Sequence, residues 1–176
     1  MRFEETPLSG AFVIHQERVT DERGFFARTW SREEFAEHGL ATEVVHCNTS
    51  YNARRGTLRG MHWQEPPFAE AKLMRCTAGT IHDVIVDLRP DSPTYGRHHG
   101  VTLRASDGTM FYCPEGFAHG FITLSDATEV AYLMSEVYAP SHARGARWNY
   151  PFFAITWPLE PVVMNDCDRT YPDYTP

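Results

Sequence analysis

The segment LRGMHWQ holds side chains that could take part in proton transfer or anion binding. His62 and Gln64 lie two residues apart, so in a strand both would point to one face and could face the interior of a barrel. Lys72 opens the next predicted strand, His119 lies in PEGFAHGF, and Tyr132 lies in VAYLMSEVY. Small barrels usually fill their interior with apolar side chains, so several inward-facing polar residues would indicate a ligand cavity.

These residue types suit the removal of a proton from a carbon beside a ketone. A neutral histidine such as His62 can act as the base, and a carboxylate partner would fix its tautomer. Lys72 could face the oxyanion that develops, and Tyr132 could return the proton from the opposite side. Ordinary structural roles stay open for each: a hydrogen-bonded histidine, a solvated lysine and a core tyrosine.

A second group of residues could bind a nucleotide. Arg23 and Arg59 each precede a glycine, and a guanidinium matches phosphate oxygens bidentately. Phe25 and Phe26 could offer a stacking face for a base, or could belong to the core. Asn48 begins the polar segment NTS. Two surface arginines in turns are the alternative to a diphosphate clamp.

Metal binding is the competing use of the histidines. PEGFAH resembles the second metal motif of the cupins, with His119 as its ligand. His62 is followed by Trp63 and Gln64, so the His-x-His pair of a first motif is missing. The sequence therefore argues against a metal site.

Composition limits the class of protein. With 176 residues, 42% hydrophobic and 22% charged, the chain is predicted to form a single globular domain over residues 1–176. The formal net charge of −7 argues against general nucleic-acid binding. The four cysteines form no CxxC pair, which favours reduced thiols. No leader-like or membrane-spanning apolar run occurs, so a cytoplasmic protein without membrane contact is expected.

The pattern of elements predicts a mainly β protein. One helix is expected from Ser31 to His38, with Ser31 and Glu34 in a capping box and Gly39 as its end. Three hairpins are predicted, with turns at 78–79, 107–108 and 125–126. Such strands indicate a sandwich or a jelly-roll barrel. The stretch from Ser141 onward is predicted to be irregular structure laid over the barrel.

The ordered set of motifs resembles one family. DERGFF, NTS, LRGMHWQ, AKLMRCTAGTIHDVIVDLR, SPTYG, PEGFAHGF, YLMSEVYAP and ITWPL are similar, in this order, to segments of dTDP-4-dehydrorhamnose 3,5-epimerases. The match extends over about residues 1–172. The resemblance implies a cupin-type double-stranded β-helix with a few short helices, usually a homodimer, without metal or organic cofactor. It implies epimerisation at C3, C5 or both carbons of a nucleotide-linked 4-keto-6-deoxyhexose.

The resemblance also assigns roles. His62 would be the base, Lys72 would stabilise the enolate, and Tyr132 would be the acid on the other face. Asp168 would pair with His62 and is chosen over the nearby Asp166. The sugar nucleotide would be bound by the following residues: Arg23, Phe26, Arg28, His46, Asn48, Arg59, His119 and Tyr138.

Three positions depart from the family pattern, and they leave the exact nucleotide and sugar open. Arg28 and Ala143 each stand where a glutamate is usual, and His46 stands where a glutamine is usual. The activity nearest to a double epimerase is that of an epimerase that inverts one carbon only. The sequence is also compatible with a 3,4-ketoisomerase, a non-catalytic sugar-binding cupin and a metal-dependent cupin oxygenase or isomerase.

Overall fold

The strands form two sheets that face each other and a separate two-stranded arm. The computed structural model describes residues 1–174. The strands are β1 (Arg2–Glu5), β2 (Phe12–His15), β3 (Arg18–Asp21), β4 (Gly24–Ala27), β5 (His46–Asn52), β6 (Leu58–Gln64), β7 (Lys72–Ala78), β8 (Thr80–Asp87), β9 (His98–Arg104), β10 (Met110–Cys113), β11 (Phe117–Thr123), β12 (Thr128–Met134) and β13 (Ala143–Gly145). The helices are α1 (Arg32–Glu37), α2 (Asp166–Thr170) and a 3-10 helix at Pro151–Phe153.

The sheet order is that of a jelly roll. One sheet has the order β1-β2-β10-β7-β12-β5, the other has the order β13-β6-β11-β8-β9, and β3 pairs with β4 to form the arm. Neighbouring strands in both sheets are antiparallel. From β7 to β12 the chain changes sheet at nearly every connection, which is the winding of a double-stranded β-helix. The predicted fold class is confirmed.

The three predicted hairpins are wrong, although their turns lie where expected. β7 pairs with β10 and β12, whereas β8 pairs with β9 and β11 in the other sheet. The pairs β9–β10 and β11–β12 are divided between the sheets in the same way. Gly79 lies in the turn between β7 and β8, with φ of +78°, and a Cβ there would lie 2.5 Å from Thr128 Oγ1. Turn residues show where the chain reverses, but they do not show whether the next strand pairs beside the first or stacks over it.

The apolar core explains why these strands stack. Met74 and Cys76 of β7 and Ile81 and Ile85 of β8 belong to one buried cluster between the two sheets. Each pair of strands therefore buries alternate side chains face to face. The same alternation would suit a hairpin with one covered face, so the sequence pattern alone could not distinguish the two arrangements.

The predicted helix is confirmed as α1, with Ser31 as its N-cap. The Ser31 side chain accepts a hydrogen bond from the Glu34 backbone N–H at 3.5 Å. The reciprocal half of the capping box is absent from the described contacts, because the Glu34 carboxylate accepts from the N-terminal ammonium of Met1 instead. Phe35 anchors the helix against the outer face of the larger sheet, in contact with Tyr112.

The C-terminal stretch covers the outer face of the smaller sheet. Phe153 is buried in a cluster with Met61, Val84 and Val86, and Trp157 packs at its margin. The prediction of irregular structure holds for most of this stretch, but β13, the 3-10 helix and α2 are regular. Within residues 1–174, no helix combines the length and the apolar character needed to cross a membrane.

Candidate active site

A cavity of about 210 Å³ lies between the inner faces of the two sheets. It adjoins a wider cavity of about 700 Å³. The four residues predicted to be catalytic, His62, Lys72, Tyr132 and Asp168, line both cavities. Among the predicted binding residues, Arg59 and His119 line the inner cavity, and the following line the wider one: His46, Asn48 and Tyr138.

His62 and Asp168 form a hydrogen-bonded pair. His62 Nε2 lies 2.6 Å from Asp168 Oδ1, and the Asp168 side chain is only 1% exposed. The second carboxylate oxygen accepts a hydrogen bond from the Gly60 backbone N–H at 3.2 Å. The Asn165 side chain caps α2 by accepting from the Asp168 N–H, which fixes the start of the helix that carries Asp168. Because Asp168 occupies Nε2, Nδ1 is left as the basic atom of the imidazole.

Asp166 lies outside this arrangement. It is exposed in the first turn of α2, whereas Asp168 is buried against β6. Two residues along a short helix separate their side chains by about 200°, so only one of the two can face the barrel. The carboxylate that contacts His62 is therefore that of Asp168, the residue chosen over Asp166 from the sequence.

A β-bulge brings Arg59 and His62 to the same cavity, although they are three residues apart. His119 pairs with His62, and the next register pair joins Phe121 to Arg59, so β6 has an extra residue at this point. Glycine is required where β6 and β11 approach each other closely, since a Cβ on Gly60 would lie 2.5 Å from the Gly120 Cα. Regular alternation of side chains could not predict this shared face.

Gln64 has a structural role. Its position two residues from His62 in a strand could not distinguish this role from binding of a ligand. Its amide nitrogen donates to the Phe68 and Val137 carbonyls at 2.9 and 3.0 Å. Its oxygen accepts from the Ala139 N–H at 2.7 Å. With these partners the Gln64 amide joins two loop segments beside the cavity, the connection from β6 to β7 and the connection from β12 to β13.

Tyr132 and Lys72 come from the sheet opposite His62. Tyr132 on β12 pairs with Met74 of β7, and Lys72 of β7 pairs with Met134 of β12. His62 lies on β6 in the smaller sheet. A ring-shaped ligand bound between the two sheets would therefore have the His62 imidazole on one face and the Tyr132 phenol on the other. The Lys72 ammonium donates to the His62 carbonyl at 3.3 Å and lies 3.0 Å from the Glu70 carboxylate.

His119 has a carboxylate partner that the sequence reasoning missed. Its Nε2 lies 2.6 Å from Asp83 Oδ1, and Asp83 is fully buried. The other oxygen, Oδ2, has no hydrogen-bond partner among the described residues. A signal was present in TIHDVIVD, where Asp83 lies between Ile81 and Ile85 on the inward face of a strand. A buried carboxylate at such a position requires a polar partner.

Arg59 is also held by a residue that the sequence reasoning did not identify. Its Nε donates to Asn52 Oδ1 at 2.8 Å. The Asn52 amide in turn donates to the Thr128 carbonyl at 3.2 Å. Asn48 lies on the same strand, β5, as the register partner of Tyr132. Asn52 therefore fixes the direction of the guanidinium at the edge of the cavity.

Tyr171 covers the outer side of the His62–Asp168 pair. The Tyr171 and His62 rings meet edge to face with centroids 5.8 Å apart. Gly145 makes room for the Tyr171 ring, since a Cβ at this position would collide with it. Burial, and next the charge of Asp168, raise the pKa of the Tyr171 hydroxyl. The Tyr171 ring is thus an uncharged aromatic wall beside the His62 imidazole, whose side chain remains 39% exposed.

Three predicted binding residues lie outside the cavities of the chain that carries them. The Arg23 side chain on the β3–β4 arm is 85% exposed and pairs with Asp21. Phe26 on the same arm is 72% exposed. Arg28 follows the arm and lies 3.6 Å from the Glu34 carboxylate. None of the three lines the cavities that hold His62.

His62 and His119 are engaged with carboxylates, and the donor set does not resemble a metal centre. Within residues 1–174 no cluster of three or more His, Cys, Asp or Glu residues is arranged to hold a metal ion. His62 and His119 each use Nε2 to bind a different carboxylate. Such an arrangement suits hydrogen bonding and proton transfer.

Comparison with known proteins gives one consistent family. Residues 5–175 match the family model described as dTDP-4-dehydrorhamnose 3,5-epimerase. A protein of that name from Methanothermobacter thermautotrophicus is 44% identical over 174 residues, covering 97% of this chain and 92% of the relative. The structure is similar to that of the Bacillus anthracis enzyme solved with TDP and PPi, with TM-score 0.94, 38% identity and coverage of 98% and 99%. It is also similar to ChmJ, a 3'-monoepimerase from Streptomyces bikiniensis, with TM-score 0.87, 31% identity and coverage of 96% and 85%.

Proposed function

We propose that this chain, which belongs to the dTDP-4-dehydrorhamnose 3,5-epimerase family, inverts carbons beside a sugar ketone by proton transfer through an enolate. The substrate is a dTDP-linked 4-keto-6-deoxyhexose, and the reaction is epimerisation at C3, C5 or both. One observation carries the proposal: the His62–Asp168 pair and Tyr132 line one cavity from opposite sheets, with the Lys72 ammonium in the same cavity.

In the first half of the reaction, His62 Nδ1 removes the proton from the carbon beside the C4 ketone. The C–H electron pair becomes the carbon–carbon double bond of an enolate, and the negative charge moves to the ketone oxygen. The Lys72 ammonium stabilises that oxygen, and Asp168 stabilises the imidazolium that has formed. General base assistance of this kind is worth about 10²- to 10⁴-fold in rate.

In the second half, the Tyr132 hydroxyl gives its proton to the same carbon from the opposite face. The enolate electron pair forms the new C–H bond, and the ketone is restored with inverted configuration. The phenolate of Tyr132 regains a proton while the imidazolium of His62 loses one, so the enzyme returns to its starting state. One round inverts one carbon, and a second round on the other side of the ketone inverts both.

The direct test is incubation with dTDP-4-keto-6-deoxyglucose in heavy water. Epimerisation through an enolate puts deuterium on each inverted carbon, which proton NMR locates and mass spectrometry counts. Deuterium at C3 and C5, with inverted configuration at both carbons, identifies a double epimerase. Deuterium and inversion at C3 alone identify the second candidate function, a C3-only epimerase, which is the activity named for the similar ChmJ structure. Tight binding of the sugar nucleotide without any exchange would contradict enzymatic function.

Arg59 is proposed to bind the diphosphate. Support comes from its position at the cavity edge and from Asn52, which holds its Nε. Nη2 also donates to the Tyr51 carbonyl at 3.5 Å, and Nη1 is left for phosphate oxygens among the described contacts. Arg59→Met is expected to weaken dTDP binding by about 10- to 100-fold, because a charged hydrogen bond contributes about 1.5–3 kcal/mol. Isothermal titration with dTDP measures the effect. Arg55→Met, four residues away and outside the cavity lining, is the matched control.

The arm residues are proposed to act in a homodimer. Arg23, Phe26 and Arg28 do not line the cavity of their own chain, yet the arm exposes Val19, Phe25 and Phe26. An exposed apolar arm with a guanidinium at its tip suits insertion into the site of a second copy. There, Phe26 would stack on the base and Arg23 would bind phosphate.

Complementation between two inactive variants tests this arrangement. His62→Ala keeps the arm, whereas Arg23→Ala/Phe26→Ala keeps the base, so each homodimer is expected to be nearly inactive. A heterodimer purified through two different tags has one complete site and is expected to recover about half of wild-type activity. Activity no higher than that of the two parent homodimers would contradict a site shared between subunits.

A further inference from the structure

We propose that Glu70 is a positioning residue that holds the Lys72 ammonium toward the ketone oxygen, an inference that rests on the proposed function. The two side chains form an ion pair with 3.0 Å between Nζ and Oε1, and each is only 8% exposed. Glu70 lies in the connection from β6 to β7, and Lys72 is the first residue of β7. Both residues line the wider cavity together with His62 and Tyr132.

The burial of this pair sets it apart from the surface ion pairs of the chain. Glu65–Arg144, at the start of the same connection, has side chains 45% and 41% exposed. An exposed pair is screened by water and contributes little, whereas a buried carboxylate requires a specific partner. The Glu70 carboxylate is therefore expected to fix the position of the Lys72 ammonium, whereas Glu65 is expected to have little effect on the position of Arg144.

The contacts of the ammonium leave one donor for a ligand. A lysine ammonium has three N–H donors. One lies toward Glu70, and a second donates to the His62 carbonyl at 3.3 Å. The third is available to an oxygen in the cavity. Lysine has four flexible side-chain torsions, so two fixed contacts on the nitrogen order it before the substrate arrives.

Fixed contacts on the ammonium should matter most after the proton has left carbon. The oxygen becomes an oxyanion only then, and a preorganised donor stabilises the developing charge without further rearrangement. A displaced ammonium would still tolerate the bound ketone but would stabilise the enolate less. Loss of Glu70 is therefore expected to lower kcat while leaving KM nearly unchanged.

Glu70→Gln is the main test, because glutamine keeps the size and one acceptor oxygen but removes the charge. Its kcat is expected to fall by about 10- to 100-fold, the range that misplacement of a catalytic group produces. KM and dTDP affinity should change less than about threefold. Glu65→Gln, which removes one charge from the same connection, is the matched control and should keep wild-type kcat.

A double-mutant cycle separates this role from a general effect on the loop. If Glu70 acts through Lys72, the variant Glu70→Gln/Lys72→Met should be no slower than Lys72→Met alone. Additive losses would show an independent role for Glu70 and overturn the proposal. Glu70→Asp keeps the charge on a shorter side chain and should recover part of the lost kcat. If Glu70→Gln unfolds, Glu70→Asp paired with Lys72→Met completes the cycle.

The outcome also distinguishes this proposal from the proposed function. A Lys72→Met variant with wild-type turnover would remove the enolate-stabilising role of Lys72, on which both depend. A slow Lys72→Met variant beside a Glu70→Gln variant of wild-type kcat would overturn only the positioning role of Glu70. Solvent deuterium exchange into the substrate, measured for each variant, reports on enolate formation directly.

Discussion

Replacement of His62 by alanine is expected to stop exchange of the substrate C3 hydrogen with solvent deuterium. The loss should reach about 10³-fold or more, because the variant lacks both the base and the imidazolium that Asp168 stabilises. Exchange is followed by proton NMR of dTDP-4-keto-6-deoxyglucose in heavy water, which measures the carbon acid step apart from inversion. Exchange at the wild-type rate would rule out His62 as the base.

Two further variants separate chemistry from folding. His62→Asn retains a side-chain amide that can bind Asp168, so the buried carboxylate is not left without a partner. It should remain folded, with unchanged dTDP affinity, and should still fail to exchange. His15→Ala, on β2 and outside the cavity lining, is the matched histidine control and is expected to exchange normally.

Asp168→Asn should give a smaller loss than removal of His62. The amide can keep a hydrogen bond to Nε2 but cannot compensate the charge of an imidazolium. It can also present its N–H to the ring, which favours the wrong tautomer. The single amide oxygen cannot accept from both Nε2 and the Gly60 N–H, so the orientation that keeps the Gly60 contact is the one that turns the Asn N–H toward the ring.

Local patterns in the sequence predicted local structure well. Ser31 and Gly39 bounded α1, and the glycine and aspartate signals marked the reversals after β7 and β9. These features depend on capping and backbone conformation within a few residues. Pairing between strands depends on partners far along the chain, and so all three reversals became crossings between sheets.

The sequence predicted the main residues of the site but not the residues that hold them in place. Motif resemblance pointed to His62, Lys72, Tyr132 and Asp168, and all four line one cavity. Their partners Glu70, Asp83 and Asn52 act through contacts whose meaning appears only in three dimensions. Glu70 looks in sequence like any charged residue in a loop.

The β-bulge is a second feature that regular periodicity hides. Counting by twos groups His62 with Gln64, and both line the wider cavity, but it does not predict that Arg59 lines the inner cavity with His62. The glycines at positions 60 and 120 are the only trace of this arrangement in the sequence. Their close approach appears only once β6 is known to pair with β11.

Tyr132→Phe is expected to separate enolate formation from inversion. The base side of the cavity is untouched, so His62 can still remove the proton and return deuterium to the same face. Inversion requires a donor on the other face, and phenylalanine removes only the hydroxyl from the β12 side of the cavity. Exchange with retention should therefore persist within about tenfold of wild type, whereas inversion should fall by about 10²-fold or more.

The test depends on the ratio of the exchange rate to the inversion rate. Both are read from one sample in heavy water, with deuterium uptake measured by mass spectrometry and the configuration measured by proton coupling constants. Tyr171→Phe is the matched control, because Tyr171 lies against His62 on the same side as the base and should leave the ratio unchanged. Equal losses of exchange and inversion in Tyr132→Phe would mean that Tyr132 is needed before the enolate forms. The acid on the second face would then have to be another group.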